Sequence, residues 1–290
     1  MEENKNNNTI SAGYEQEEYS EYFEGIEEGK PNHIPSISFK DKKQKDNKQK
    51  DKKQKEIKEK EIKEKGFYYS LLKSFIDNSD KTKTNVILLS TGSYNPIHRM
   101  HLEILNIAYK FLLSLNKFNV LCAFISPSAD CYVKHKKPPL IPFELRSKMV
   151  ETAIEEYKPE SDLNIFLHTW EGSKEKFIDF PYVIKEIQKE LKKYNIKLFY
   201  VCGLDLFSKC RNSFSENVIA VDRKPYKKFL HNNLPKQNIY IVEDEKTEPL
   251  SSTDIRKSYY NNQEENIKKI TFPKVADMII NFYKENFIIK

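Results

Sequence analysis

The sequence predicts an α/β protein in which a parallel sheet carries helices on both faces, preceded by a disordered tail. Three observations predict it. From about Phe67 onward, short apolar runs alternate with stretches of helical periodicity. The runs are rich in the residues of strands buried on both faces, as a parallel sheet requires. The first 65 residues have a composition unlike anything after them.

In chain order, the tail comes first. Residues 1–39 carry 2 Lys against 9 Glu, and residues 40–65 carry 13 Lys against 7 acidic residues. Such low-complexity sequence buries too little apolar area to offset the chain entropy lost on ordering. Two readings stand for 1–65: a disordered or loosely helical tail, or a segment that binds a partner. The acids interleaved with its lysines argue against nuclear import and against nucleic acid.

Residues 66–290 form the domain, with a net charge of +7 spread thinly. Strands are predicted at Val86–Ser90, Val120–Ile125, Asn164–Leu167, Lys197–Val201, Asn217–Val221 and Ile239–Val242. A helix covers Leu102–Leu115, where Leu102, Leu105, Ala108, Leu112 and Leu115 form one stripe. Pro142 opens a helix over Phe143–Tyr157, and Pro181 opens another over Tyr182–Tyr194. Helical texture returns at Thr253–Tyr260 and Pro273–Tyr283.

Composition narrows the class further. Seven glycines in 290 residues exclude collagen-like and Gly-rich repetitive structure. No run of 18 apolar residues exists, and the acidic, polar N-terminus lacks the pattern of a secretory signal. The four cysteines show no C-x-x-C spacing, so reduced thiols and a cytoplasmic or nuclear location are expected.

The most informative segment is 86–101, V-I-L-L-S-T-G-S-Y-N-P-I-H-R-M-H. It reads as a strand, a tight turn at Gly92, and a helix start with His98 and His101 on one face. Free N–H groups at a helix start favour anions, and Gly92 lets a phosphate approach the backbone. H-x-x-H alone reads as a surface pair; the strand–Gly–Ser–x–Asn–Pro context shifts the reading to an anion site. A second segment, 251–256, is S-S-T-D-I-R. Its Ser and Thr suit a helix N-cap, and they equally suit a grip on phosphate beside Arg256.

On these segments the chain resembles the nicotinamide/nicotinate mononucleotide adenylyltransferases, most closely their eukaryotic branch. Between the two segments, I-S-P-S-A-D-C-Y-V-K (125–134), T-W-E (169–171) and C-G-L-D-L (202–206) match in order. The resemblance covers most of 85–290 and implies a Rossmann-like nucleotidyltransferase fold. It implies that Gly92 and Ser93 meet nucleotide phosphates, and that His98 and His101 bind the ATP phosphates and stabilise the transition state. Eukaryotic members often carry Thr at the first histidine position, where this chain has His98. Lys134 would neutralise a phosphate, its alternative being a solvated loop lysine. Gly203 and Asp205 would hold the dinucleotide, Asp205 accepting from ribose or standing as a helix N-cap. Ser251, Ser252, Thr253 and Arg256 would grip the triphosphate.

For the pyridine ring, the resemblance points to Phe177, seven residues after Trp170, with Trp170 itself packing structurally. The family's second stacking Trp has no counterpart, because Trp170 is the single Trp of the chain; Phe214 is the candidate substitute. The implied reaction is adenylyl transfer from MgATP to nicotinamide mononucleotide, or to nicotinate mononucleotide, with Mg²⁺ bound by substrate oxygens and water. The implied partners are these small molecules, without specific nucleic acid or membrane, and self-association stays open. Rival readings are a phosphopantetheine- or CTP-dependent nucleotidyltransferase, which usually shows H-x-G-H, and a non-catalytic nucleotide-binding module.

Overall fold

The computed structural model describes residues 70–134, 140–214, 217–223 and 238–286. The chain divides into two compact units, Met1–Lys52 and Lys53–Lys290, and all described residues belong to the second. The tail read over 1–65 lies outside the described residues.

Six strands form one sheet: β1 (Thr84–Gly92), β2 (Phe118–Pro127), β3 (Ile165–Leu167), β4 (Lys197–Gly203), β5 (Val218–Asp222) and β6 (Ile239–Glu243). All neighbours pair in parallel, in the order β3-β2-β1-β4-β5-β6. Every predicted strand is present, with ends shifted by at most two residues. The order reverses between β1 and β4, and a crevice at the carboxyl ends of these strands is where such sheets meet nucleotides.

Alternation along β1 builds two cores. Val86 and Leu88 face one side, while Ile87 and Leu89 face the other, all four fully buried. The first side is covered by α2 (Arg99–Ser114), α4 (Phe143–Glu156), α7 (Ser252–Tyr260), α8 (Glu264–Ile270) and α9 (Pro273–Asn286). The second is covered by α1 (residues 70–77), α5 (Phe180–Leu191) and α6 (Leu204–Cys210). Helices therefore lie on both faces, as the sequence predicts. A further short helix, α3 (Asp130–Val133), follows β2.

Some boundaries differ from the sequence reading for local reasons. α5 begins at Phe180, because the Asp179 carboxylate accepts the Phe180 N–H and Pro181 sits in the first turn. It ends at Leu191, where a 3₁₀ turn (Lys192–Tyr194) leads to Asn195 at φ 56°. Asp205 is not the cap of α6: Gly203 is, and Asp205 lies in the first turn.

Candidate active site

The turn after β1 is built from below and from the side. Tyr94 takes a left-handed φ of 40°, and its ring lies under Gly92, where an added Cβ would approach it to 3.2 Å. Its hydroxyl donates to the Ser90 Oγ at 3.2 Å, and its ring meets the His101 ring edge-on at 4.8 Å. Three successive carbonyls of the turn are held by the C-terminal region. Asn95 O accepts from Arg256 at 2.6 Å, Pro96 O from Ser252 Oγ at 2.7 Å, and Ile97 O from Thr271 Oγ1 at 2.9 Å.

His98 is the N-cap of α2 and His101 its third residue, so both imidazoles stand at the helix start. Their rings stack with centroids 3.6 Å apart. The His98 backbone N–H donates to His101 Nδ1 at 3.0 Å, which places the His101 ring proton on Nε2. His98 is 1% exposed, and its Nδ1 has no hydrogen-bond partner among the described residues. Burial, with the Arg223 charge second, holds the His98 imidazole down at about 3. Burial, then His98 and Arg223, pushes His101 well below the ordinary histidine value. Without ligand the pair is neutral at pH 7 and offers N–H donors rather than fixed cations.

Across the switch point, β4 ends at Gly203 and α6 begins. A Cβ on Gly203 would lie 2.4 Å from the Asp205 carboxylate and 3.1 Å from Arg223 Nε, so the bare backbone makes room for both. Arg223 follows β5 directly, donates to Asp205 Oδ1 at 2.9 Å and reaches Leu250 O at 3.3 Å. The sequence reading did not single out Arg223. Its position one residue beyond a parallel strand, on the carboxyl edge, is the signal that finds it.

The 251–256 segment satisfies its structural reading in full. Ser251 is the N-cap of α7, its Oγ accepting from the Asp254 N–H at 3.2 Å and bonding the Asp254 carboxylate at 2.6 Å. Arg256 also donates to Thr253 Oγ1 at 3.1 Å. The hydroxyls and the guanidinium thus hold the turn in place as well as lining its flank.

On the other side, the segment after β2 carries Ser128, then Asp130 and Tyr132 on α3, and the exposed Lys134 at the end of that helix. Phe177, 45% exposed, stacks on Tyr132 with centroids 4.4 Å apart and planes 13° apart. Trp170 packs against the second core with Lys174 Nζ 4.8 Å above its ring. Phe214 is 3% exposed and packs among Phe180, Tyr200 and Phe207. Burial on all sides leaves that ring no face for a ligand, which corrects its candidacy as the second stacking aromatic. Glu171 is buried, and its carboxylate accepts from Ser126 Oγ at 3.0 Å. Desolvation raises its carboxyl to about 7 against the hydroxyls of Ser128 and Ser126 and the charge of Arg146.

The six-stranded parallel sheet with helices on both faces defines a Rossmann-like α/β protein, with the His98–His101 pair and the Asp205 carboxylate after neighbouring strands at its switch point. The cytidylyltransferase-like family matches residues 89–258, more than half of the chain. The chain belongs to that family. A bovine nicotinamide/nicotinic acid mononucleotide adenylyltransferase 1 is 32% identical over 117 residues, 40% of this chain and 38% of that protein. An Arabidopsis thaliana relative of the same description is 29% identical over 135 residues, 44% of this chain and 53% of that protein. The matches therefore span about two fifths to one half of these relatives. A solved Plasmodium falciparum nicotinic acid mononucleotide adenylyltransferase, complexed with APC, superposes with TM-score 0.54 at 20% identity. It covers 71% of this chain and 99% of its own, and it shares the fold.

Proposed function

We propose that the chain transfers the adenylyl group of ATP to nicotinamide mononucleotide or nicotinate mononucleotide, releasing pyrophosphate. The 5′-phosphate oxygen of the mononucleotide forms a bond to the α-phosphorus. The bond from that phosphorus to the β-bridging oxygen breaks, and its electron pair leaves with pyrophosphate. The nucleophile is already an anion, so no general base and no covalent intermediate are required. Catalysis rests on alignment and on charge stabilisation.

The observation that carries this reading is the stacked His98–His101 pair at the start of α2, with a buried, unpartnered His98 Nδ1 beside the switch point. Neutral imidazoles there can donate to phosphate oxygens as charge builds, supported by the N-terminus of α2. In this reading Gly92 and Ser93 admit the phosphates to the backbone. Arg223 and Arg256 flank the turn, and Lys134 meets a phosphate from the β2–α3 side. Ser251, Ser252 and Thr253 hold the triphosphate's side of the turn. Asp205, with Oδ1 fixed by Arg223, accepts from ribose through its other oxygen. Phe177 presents a flat face for the pyridine ring.

Among the described residues no group of three or more His, Cys, Asp or Glu is arranged to hold a metal ion. The donor set at the turn is imidazole, hydroxyl and guanidinium, which does not suit a protein-held Mg²⁺. In this reading the ion arrives on the triphosphate's own oxygens as part of the substrate. The relatives support the pyridine mononucleotide over the other acceptors weighed above.

The test is direct. Folded protein incubated with MgATP and either mononucleotide is expected to form the dinucleotide and pyrophosphate in equal amounts. Absence of both products with both acceptors overturns the reading.

A further inference from the structure

Arg146 lies on α4, outside the segments discussed so far as substrate-facing, and its side chain is fully buried. A buried guanidinium is costly unless each donor is satisfied. Here the donors are spent on four groups from separate parts of the chain. Nε donates to Ile141 O at 2.9 Å, and one terminal nitrogen donates to Ser93 O at 2.6 Å. The other donates to Ser128 O at 2.7 Å and to Asp130 Oδ1 at 2.9 Å. The Asn95 side chain completes the ring from the opposite direction, its Oδ1 accepting the Ile141 N–H at 2.9 Å.

The arrangement joins two loops with different jobs. Ser93 belongs to the turn after β1, and Ser128 and Asp130 belong to the loop after β2 and the first turn of α3, which lead to Lys134. Under the proposed function, on which this inference rests, one loop admits phosphates at Gly92 and Ser93, and the other leads to Lys134, which meets a phosphate. We propose that Arg146 is a positioning residue that fixes the distance between these two loops, and so the in-line approach of one phosphate to the other. It touches neither substrate. Three of its contacts are backbone carbonyls served by three different nitrogens, which a planar fork can reach together and a lysine ammonium, with its three N–H groups on one nitrogen, cannot span.

The experiment compares wild type with Arg146→Lys, and with Asp130→Asn as a milder variant whose half-exposed side chain tolerates substitution. Steady-state rates are measured against each substrate, and amide exchange is followed at residues 93–97 and 128–134. For Arg146→Lys, kcat is expected to fall about 100-fold, the scale of a small misalignment. Both KM values should stay within about threefold, because neither ligand loses a contact of its own. Exchange should accelerate in both loops while the rest of the domain keeps its protection. Asp130→Asn should show the same pattern with a loss of about 3–10-fold in kcat, because the amide keeps an acceptor oxygen but loses the charge that strengthens one of the four bonds.

A folded Arg146→Lys with wild-type kcat overturns the proposal, as does a loss confined to KM or to the folded fraction. If Arg146→Lys does not fold, wild-type kcat in Asp130→Asn overturns it. An inactive wild type strikes the proposed function instead, and the exchange measurement then still reports whether Arg146 couples the two loops.

Discussion

The turn after β1 and the aromatic pair Tyr132–Phe177 lie on two sides of one candidate site, and they are built on opposite principles. The turn is fixed by backbone: three consecutive carbonyls are engaged, Tyr94 fills the space beneath Gly92, and His98 is buried. The pair meets face to face at the surface, with Phe177 45% exposed. Phosphate chemistry depends on sub-ångström alignment and is served by a rigid frame. A flat ring asks only for a flat partner, so that side can remain open to solvent until a ligand arrives.

The comparison breaks most sharply at the histidines. His101→Ala should reduce kcat about 10²–10³-fold, as loss of a transition-state donor does. The loss of a cap contact costs about 1 kcal/mol of stability, so a fold retained by circular dichroism with turnover intact would remove His101 from the chemistry. Next in size is Gly172→Ala. A Cβ there would lie 1.8 Å from the Phe143 ring, and overpacking of this kind costs about 1–3 kcal/mol. Denaturant unfolding reads that loss, and an unchanged midpoint would show the loop after β3 to be looser than it looks.

The aromatic side should respond differently. Phe177→Ala is expected to raise KM for the mononucleotide about tenfold through lost stacking, with KM for ATP and the unfolding midpoint unchanged. A uniform fall in kcat instead would place Phe177 in the rigid frame.

Glu171 gives the smallest effect, and its sign can be worked out. Its carboxyl is raised in the folded state to about 7, so the fold binds its proton more tightly than the unfolded chain. Its contribution is present in full below the unfolded value of about 4.5 and is lost as pH rises through about 7. His98, lowered to about 3, runs oppositely, its contribution being present above about 6.5 and lost as pH falls toward 3. Glu171→Gln should therefore remove a decline of about 1–3 kcal/mol between pH 4.5 and 7. Unfolding curves across that window check it; an unchanged slope means that Glu171 ionises without cost.

Most of the sheet was legible because buried parallel strands announce themselves as apolar runs, and α2 announced itself as a stripe. The short helices α3, α6 and α8 were not, since four to seven residues give no periodicity to read. Within the site, His98 and His101 were visible as an H-x-x-H pair after a strand and a tight turn, and Gly203 through the family resemblance. Arg146 was hidden in plain composition. Phe143, Val150 and Ala153 form the buried stripe of α4, and Arg146 occupies the same stripe. A charge on an otherwise apolar helix face was the available sign. Phe214 failed for the converse reason: sequence shows an aromatic's presence but not which side of the sheet surrounds it.

The three carbonyls of the turn draw their donors from Arg256, Ser252 and Thr271, 156 to 174 residues further along the chain. Strands β1 to β4 can be synthesised and paired before any of these donors has left the ribosome. The turn after β1 therefore acquires its final shape only when the last helices dock. Completion of the frame around His98 and His101 is thus a late event in the life of each molecule, and a chain broken off before residue 250 would carry both histidines without it.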